Sequence, residues 1–184
     1  MFISISGKLG SGKSTVCHYL KENHGFEIFS TGVIHRKLAL ERGLSTLEFN
    51  KSLNSDAAID LMIDDELRKF ARLNKDKNII FDSRMAWHFV PDSFKVFLTI
   101  DPQTAADRVF SNRILEEETY ASREKAMQEL IDRREVENAR FKTFYGVDCN
   151  DLNNFDFILD TPNLSPSQAG EAVYNAVVSF FAKK

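Results

Sequence analysis

The stretch Gly7-Lys8-Leu9-Gly10-Ser11-Gly12-Lys13-Ser14 satisfies G-x-x-x-x-G-K-[ST] at every fixed position. A short apolar run, Phe2–Ser6, precedes it, and a helix-like run, Lys13–Glu22, follows. Strand, glycine-rich loop and helix in that order define a phosphate-binding turn. The glycines permit backbone conformations that aim successive N–H groups inward. Those amides and the helix N-terminus form a nest for a di- or triphosphate. Gly7, Lys8, Leu9, Gly10, Ser11, Gly12, Lys13, Ser14 and Thr15 are the candidate contacts. Lys13 is expected to reach the β- and γ-phosphates, and the Ser14 hydroxyl to ligate Mg²⁺. A bound nucleoside triphosphate follows. What receives its phosphate does not, because hydrolases, motors, switches and kinases all use such loops.

The rest of the chain alternates strands and helices. Strands are expected at Phe26–Phe29, Asn78–Asp82, Phe94–Ile100 and Phe155–Leu159. Helices are expected at Gly32–Arg42, Leu47–Leu53, Ile59–Leu73, Pro102–Arg113, Ser122–Tyr145 and Pro166–Ala182. Ser45–Glu48 ("STLE") and Ser165–Gln168 ("SPSQ") read as capping boxes, the second with Pro166 at the first helical position. Asp101 reads as a cap before Pro102. This order implies an α/β fold of three layers, α/β/α, around a parallel sheet, with ligands beyond the carboxyl ends of the strands. At 184 residues the chain suits a single domain.

A formal net charge of −3 with mixed signs argues against a general nucleic-acid binder, yet leaves room for a local basic pocket. No signal peptide or bilayer-spanning run is read, so a cytoplasmic protein with no membrane partner is the expectation. Cys17 and Cys149 read as free thiols. The four histidines, His35 among them, read as structural or surface residues.

A guanine-reading N-K-x-D is not found: Asn74-Lys75-Asp76-Lys77 has Lys at the fourth place and precedes a strand. A small kinase fits the length. Asp82, at the end of the third strand, reads as a second Mg²⁺ ligand. Ser30-Thr31-Gly32, Arg36 and Arg84 follow strand ends, where an acceptor would bind. Arg108, Arg113, Arg133 and Arg140 come later, and Arg133 and Arg140, seven apart, share one helix face. Guanidiniums suit the task of bringing two polyanions together, since they stay charged and fork onto phosphate oxygens.

These residues resemble the nucleoside monophosphate kinases, most closely the short cytidylate kinases of archaeal type. The likeness runs through the phosphate loop, "STG" with Arg36, "ERGLSTLEF" at Glu41–Phe49 and "IDLMID" at Ile59–Asp64. It continues in "DSRMA" after the third strand and in Arg133–Asp156, "RREVENARFKTFYGVDCNDLNNFD". The resemblance implies a five-stranded parallel sheet, a monophosphate-binding insert near residues 31–76 and a short lid near 113–132. It implies ATP as donor, Mg²⁺ as cofactor and CMP or dCMP as acceptor. By position, Arg36 and Arg84 hold the acceptor phosphate, while Arg108, Arg113, Arg133 and Arg140 surround the transferring group with Lys13. His35 stands where the family usually has an aromatic residue.

Cytosine offers an amino donor at N4. Asp60 and Asp64, four apart on one helix face, could accept from it, with Arg68 on the same face as a donor. Two rivals stay open: another small P-loop kinase, adenylate kinase-like or with a non-nucleotide acceptor, and an ATP-binding regulatory module. The expected state is a monomer or weak homo-oligomer.

Overall fold

The computed structural model describes residues 1–53, 58–112 and 122–183. Five strands, β1 (Phe2–Gly7), β2 (Glu27–Ser30), β3 (Ile79–Asp82), β4 (Phe94–Thr99) and β5 (Phe157–Asp160), form one sheet in the order β2-β3-β1-β4-β5. Every pairing is parallel: Ile3 lies opposite Ile80 on one side and Phe94 on the other. From β1 the chain builds one half of the sheet through β2 and β3, then crosses to β4 and β5. The turn after β1 therefore sits at the crossover, where open α/β sheets bind ligands.

Strand alternation sorts the two faces. Ile3, Ile5, Phe94, Val96 and Leu98 point to a core closed by α1 (Lys13–His24) and α8 (Pro166–Phe181) through Val16, Leu20, Val173 and Val177. Ile79 and Phe81 point the other way. They meet Leu67 and Ala71 of α4 (Ala58–Leu73), and Ala86 of the one-turn α5 (Ala86–Phe89). Phe81 is fully buried among aromatic neighbours, its ring centroid 5.3 Å from Phe2 and 6.1 Å from Phe29. Truncating such a residue to alanine costs about 3–5 kcal/mol.

Between β2 and β3 lie α2 (Thr31–Glu41), α3 (Thr46–Ser52) and α4, with a small core of Ala39, Phe49 and Leu53. Both capping boxes form, at Ser45/Glu48 and Ser165/Gln168. Asp101 accepts from the Thr104 amide at 2.8 Å, opening α6 (Pro102–Asn112). The long α7 spans Arg123–Tyr145.

One local expectation shifts, and one element goes unread in the sequence. Residues 155–156 are not strand: Phe155 closes a 3₁₀ turn at Leu152–Asn154, and the Asp156 carboxylate accepts from the Lys95 amide at 2.9 Å. The α5 turn has too few residues to show a period; Trp87 and Met85 pack there against Phe141 and Cys149 of the α7 side. Cys17 and Cys149 are both buried free thiols.

Candidate active site

The loop after β1 is shaped by backbone it cannot share with side chains. Gly10 adopts φ +76°, and a Cβ there would come within 2.9 Å of the Ala105 backbone on α6. Gly12 caps α1 with φ 86° and supplies no side-chain acceptor, and the first turn of α1 holds no acidic residue. The free amides and positive end of α1 thus face outward from the strand ends. Lys13 reaches back, Nζ donating to the carbonyls of Gly7 at 3.3 Å and Lys8 at 3.2 Å. Burial, then the charge of Arg84, lowers its pKa to about 8. A cation this poorly compensated suits an anion. Across the loop, the Thr161 hydroxyl lies 3.0 Å from the carbonyls of Ser11 and Thr99, joining the turn to the end of β5.

From this loop a pocket of about 410 Å³ extends over the end of β3 to α4 and α7. Leu9 through Thr15 line its near part; Thr31, Gly32, Arg36, Asp60, Ile63, Asp64, Asp82, Arg84, Arg133, Glu137, Arg140 and Phe141 line its far part. Gly7 and Lys8 form the foot of the loop instead. Ser30 also lies outside the lining: it is the N-cap of α2, and its hydroxyl donates to the Asp82 carboxylate at 2.9 Å. The Arg36 guanidinium lies over Gly32, where an added Cβ would be 3.5 Å from it.

The far part is built from charged side chains that meet in pairs. Glu137 is 5% exposed; Oε1 accepts from Arg133 Nε at 3.0 Å and Oε2 pairs with Arg84. Burial alone would raise the Glu137 pKa, but the charges of Arg84 and Arg133 carry it below the usual carboxylate value. Arg140 is 3% exposed and donates to the Asn50 carbonyl at 2.9 Å and to Asn50 Oδ1 at 3.2 Å. Its Nε lies 2.7 Å from Asp60 Oδ2, close but off the line of a good hydrogen bond. Tyr145 donates to Asp64. Burial pushes the Asp64 carboxyl up to about 6, opposed by that hydrogen bond and reinforced by Asp60.

Several residues do other work than expected. Asp60 faces Arg140 through Oδ2, and its Oδ1 stands 3.8 Å from His35 Nε2, so one of its two oxygens serves the arginine. Arg68 pairs with Asp65 at 2.7 Å and lies 4.2 Å over the Phe89 ring, outside the pocket. Arg108 lines the pocket, yet its guanidinium donates to the carbonyls of Thr161 at 2.8 Å and Pro162 at 3.0 Å, bracing the turn after β5. Arg140 is held by Asn50 and Asp60 at the pocket wall. Arg113, and residues 113–121 of the expected lid, lie outside the described residues; 123–132 are the start of α7.

The sequence reading missed four contributors. His35 lines the pocket, and burial lowers its pKa to about 4, so it is neutral there. Asn50 is buried behind Arg140. Arg134 lies 3.5 Å from the Gly7 carbonyl and bonds Asn150. Glu137 joins two arginines. Its position, four after Arg133 and three before Arg140, placed it on their shared face.

Relatives confirm the lineage. Over 184 residues the chain is 34% identical to the cytidylate kinase of Sulfurisphaera tokodaii, covering 100% of this chain and 98% of that protein. It is 35% identical over 182 residues to that of Natronomonas pharaonis, covering 98% and 91%. The chain belongs to the cytidylate kinase family. Residues 3–137 also match the AAA domain family. Among solved structures, shikimate kinase from Bacteroides thetaiotaomicron superposes with TM-score 0.58 at 15% identity over 100% of this chain and 99% of that one. Deoxyadenosine kinase from M. mycoides superposes with TM-score 0.54 at 20% identity over 95% and 98%. These two share the fold. As a cytidylate kinase family member the chain is a phosphotransferase that draws on a nucleoside triphosphate. Among the described residues no helix is long and apolar enough to cross a membrane.

Proposed function

We propose that the protein transfers the γ-phosphoryl group of ATP to CMP or dCMP, giving ADP and CDP or dCDP. The observation that carries this reading is one pocket in which the phosphate loop faces Arg36, Arg84, Arg133 and Arg140. The donor phosphates lie on the amides of Gly10 and of Gly12 to Ser14, with Lys13 beside them. Arg36 and Arg84 hold the acceptor phosphate, Arg133 lines the path beside Arg84, and Arg140, held by Asn50 and Asp60, forms the wall. Thr31 and Gly32 bring backbone close to the acceptor, with Ser30 beneath them.

The acceptor phosphate is already ionised near neutral pH. One of its oxygens attacks the γ-phosphorus while the bond to the β-bridging oxygen breaks, and ADP leaves with that electron pair. No general base is required; the protein positions two anions and stabilises charge spread over the equatorial oxygens. The Asp82 carboxylate reaches the pocket with a hydroxyl rather than a cation on it among the described residues, and Ser14 stands at the loop. Both are hard oxygen donors, so they would hold Mg²⁺, which neutralises phosphate charge when bound. Arg108 belongs to the donor side, beside the Thr161–Pro162 turn. The 31–76 insert carries the acceptor through Thr31, Gly32 and Arg36.

Base choice falls to Asp64. Its ionised carboxylate, oriented by Tyr145, accepts from the N4 amino group of cytosine; uracil presents an acceptor, O4, at the same place. The test is ADP formation from ATP and Mg²⁺ with CMP, dCMP, UMP, AMP, GMP and dTMP offered singly. Turnover with CMP and dCMP well above the rest is expected. Turnover with none of them, while ATP still binds, overturns the reading.

A further inference from the structure

We propose that Glu137 is a positioning residue for phosphoryl transfer: its carboxylate bridges Arg84 and Arg133 and fixes how the two guanidiniums meet the phosphates. The inference rests on the phosphotransfer reading above. Its ground is how the pocket's carboxylates are used. Asp60 faces Arg140, Asp64 accepts from Tyr145 and Asp82 accepts from Ser30. Glu137 alone, among the described residues, has one oxygen on each of two arginines.

Those arginines come from separate elements. Arg84 stands between β3 and α5, and Arg133 one turn before Glu137 on α7. The contacts take Nη1 of Arg84 and Nε of Arg133, one nitrogen of each fork. Two guanidiniums brought into one buried pocket repel. The carboxylate between them offsets that repulsion, keeps both charged and removes their freedom to rotate. A buried ionic cluster of this kind is poor value for stability, since an apolar replacement often does as well. It is good value for preorganisation, because donors already aimed cost nothing to reorganise during the reaction.

The opposing view is that Glu137 is a stand-in for phosphate, displaced on binding. The two views separate in kinetics. In Glu137→Gln, positioning predicts that kcat falls about 10- to 100-fold and that KM for CMP rises, because Arg84 also holds the acceptor phosphate. Displacement predicts a lower KM with kcat unchanged, and that result overturns the proposal, as does a loss confined to thermal stability. Should Glu137→Gln fail to fold, Glu137→Asp decides. It keeps the charge but withdraws the carboxylate by one methylene, so kcat is expected to fall several-fold with the fold intact; wild-type kcat there overturns the proposal. Wild-type protein that turns over no monophosphate removes the phosphotransfer reading and this inference with it. Wild-type turnover matched by both variants removes the inference alone.

Discussion

The two halves of the pocket are made of different material. The donor half is backbone: amides from one continuous loop on α1, with a single lysine returning to the Gly7 and Lys8 carbonyls. The far half is side chain, drawn from α2, α3, α4, the β3–α5 segment and α7. Backbone positions are held by glycine conformations and by the sheet, so they cost little charge burial. Side-chain positions are held by Asp60, Asn50 and Glu137 behind the arginines, and their upkeep is electrostatic. The donor half is therefore sensitive in chemistry and indifferent in stability, and the far half is sensitive in both.

The sharpest break of that contrast is at Lys13. Lys13→Met removes the ammonium that returns to the Gly7 and Lys8 carbonyls. We expect kcat to fall about 10²–10³-fold or more, the scale for removing a preorganised group facing developing charge. Thermal stability stays level or rises, because an imperfectly compensated, half-buried ammonium is replaced by an apolar chain of similar length. A measured loss of several degrees in Tm would mean that the loop, too, is held by charge.

The far half answers oppositely. Asp60→Asn leaves Arg140 buried with only Asn50 to face it, and unpairing a buried charge costs about 3 kcal/mol or more. A shifted urea midpoint at unchanged slope is the readout. The CMP-to-UMP preference should persist if Asp64 alone reads the base; a changed preference would bring Asp60 into base recognition.

How much of this was legible beforehand divides along the same line. The loop was readable because its instructions are local: glycines, Lys13 and Ser14 within eight positions, between a strand and a helix. The capping boxes were readable for the same reason. The far half was not, because i,i+4 spacing sets Asp60 and Asp64 on one face without saying which meets Arg140 and which meets Tyr145. That depends on α7, which begins more than fifty residues later. Arg68 sits one turn beyond Asp64, yet rotates onto Phe89 and Asp65. Strands were readable from Ile, Val and Phe alternation, but the start of β5 was not. Phe155 is as apolar as its neighbours; it packs its ring 4.7 Å from Phe97 without joining the ladder.

Asp64 gives a finer test within the far half. Burial raises its carboxyl to about 6 in the folded protein, opposed by the Tyr145 hydrogen bond and Arg68 and reinforced by Asp60 and Asp65. Unfolded, it returns to about 3.9. Between those values the folded state holds the proton more tightly, so this group's contribution to stability falls as pH rises through the window. Function moves in the same window. On the proposed reading of the base, ionised Asp64 accepts from cytosine N4 and protonated Asp64 donates to uracil O4. The ratio of kcat/KM for CMP over UMP should drop about tenfold from about pH 7.5 to about pH 5, near one good hydrogen bond's worth. Protonation of the acceptor phosphate affects both substrates and cancels in the ratio. Asp64→Asn should make the ratio flat with pH.

The smallest effect lies where the far half touches local instructions. Ser45 opens α3 with a capping box, its hydroxyl accepting from the Glu48 amide at 3.2 Å while Glu48 accepts from the Ser45 amide at 2.8 Å. On that helix Phe49 is fully buried and Asn50 holds Arg140. Ser45→Ala removes one side of the box and should cost about 1 kcal/mol. Asn50 sits beyond the first turn, where the remaining helix bonds and the Phe49 core keep it in place. kcat should therefore stay within about twofold, by the general independence of sites without shared partners. A larger fall in kcat would show that the cap, through Asn50 and Arg140, is coupled to the chemistry after all.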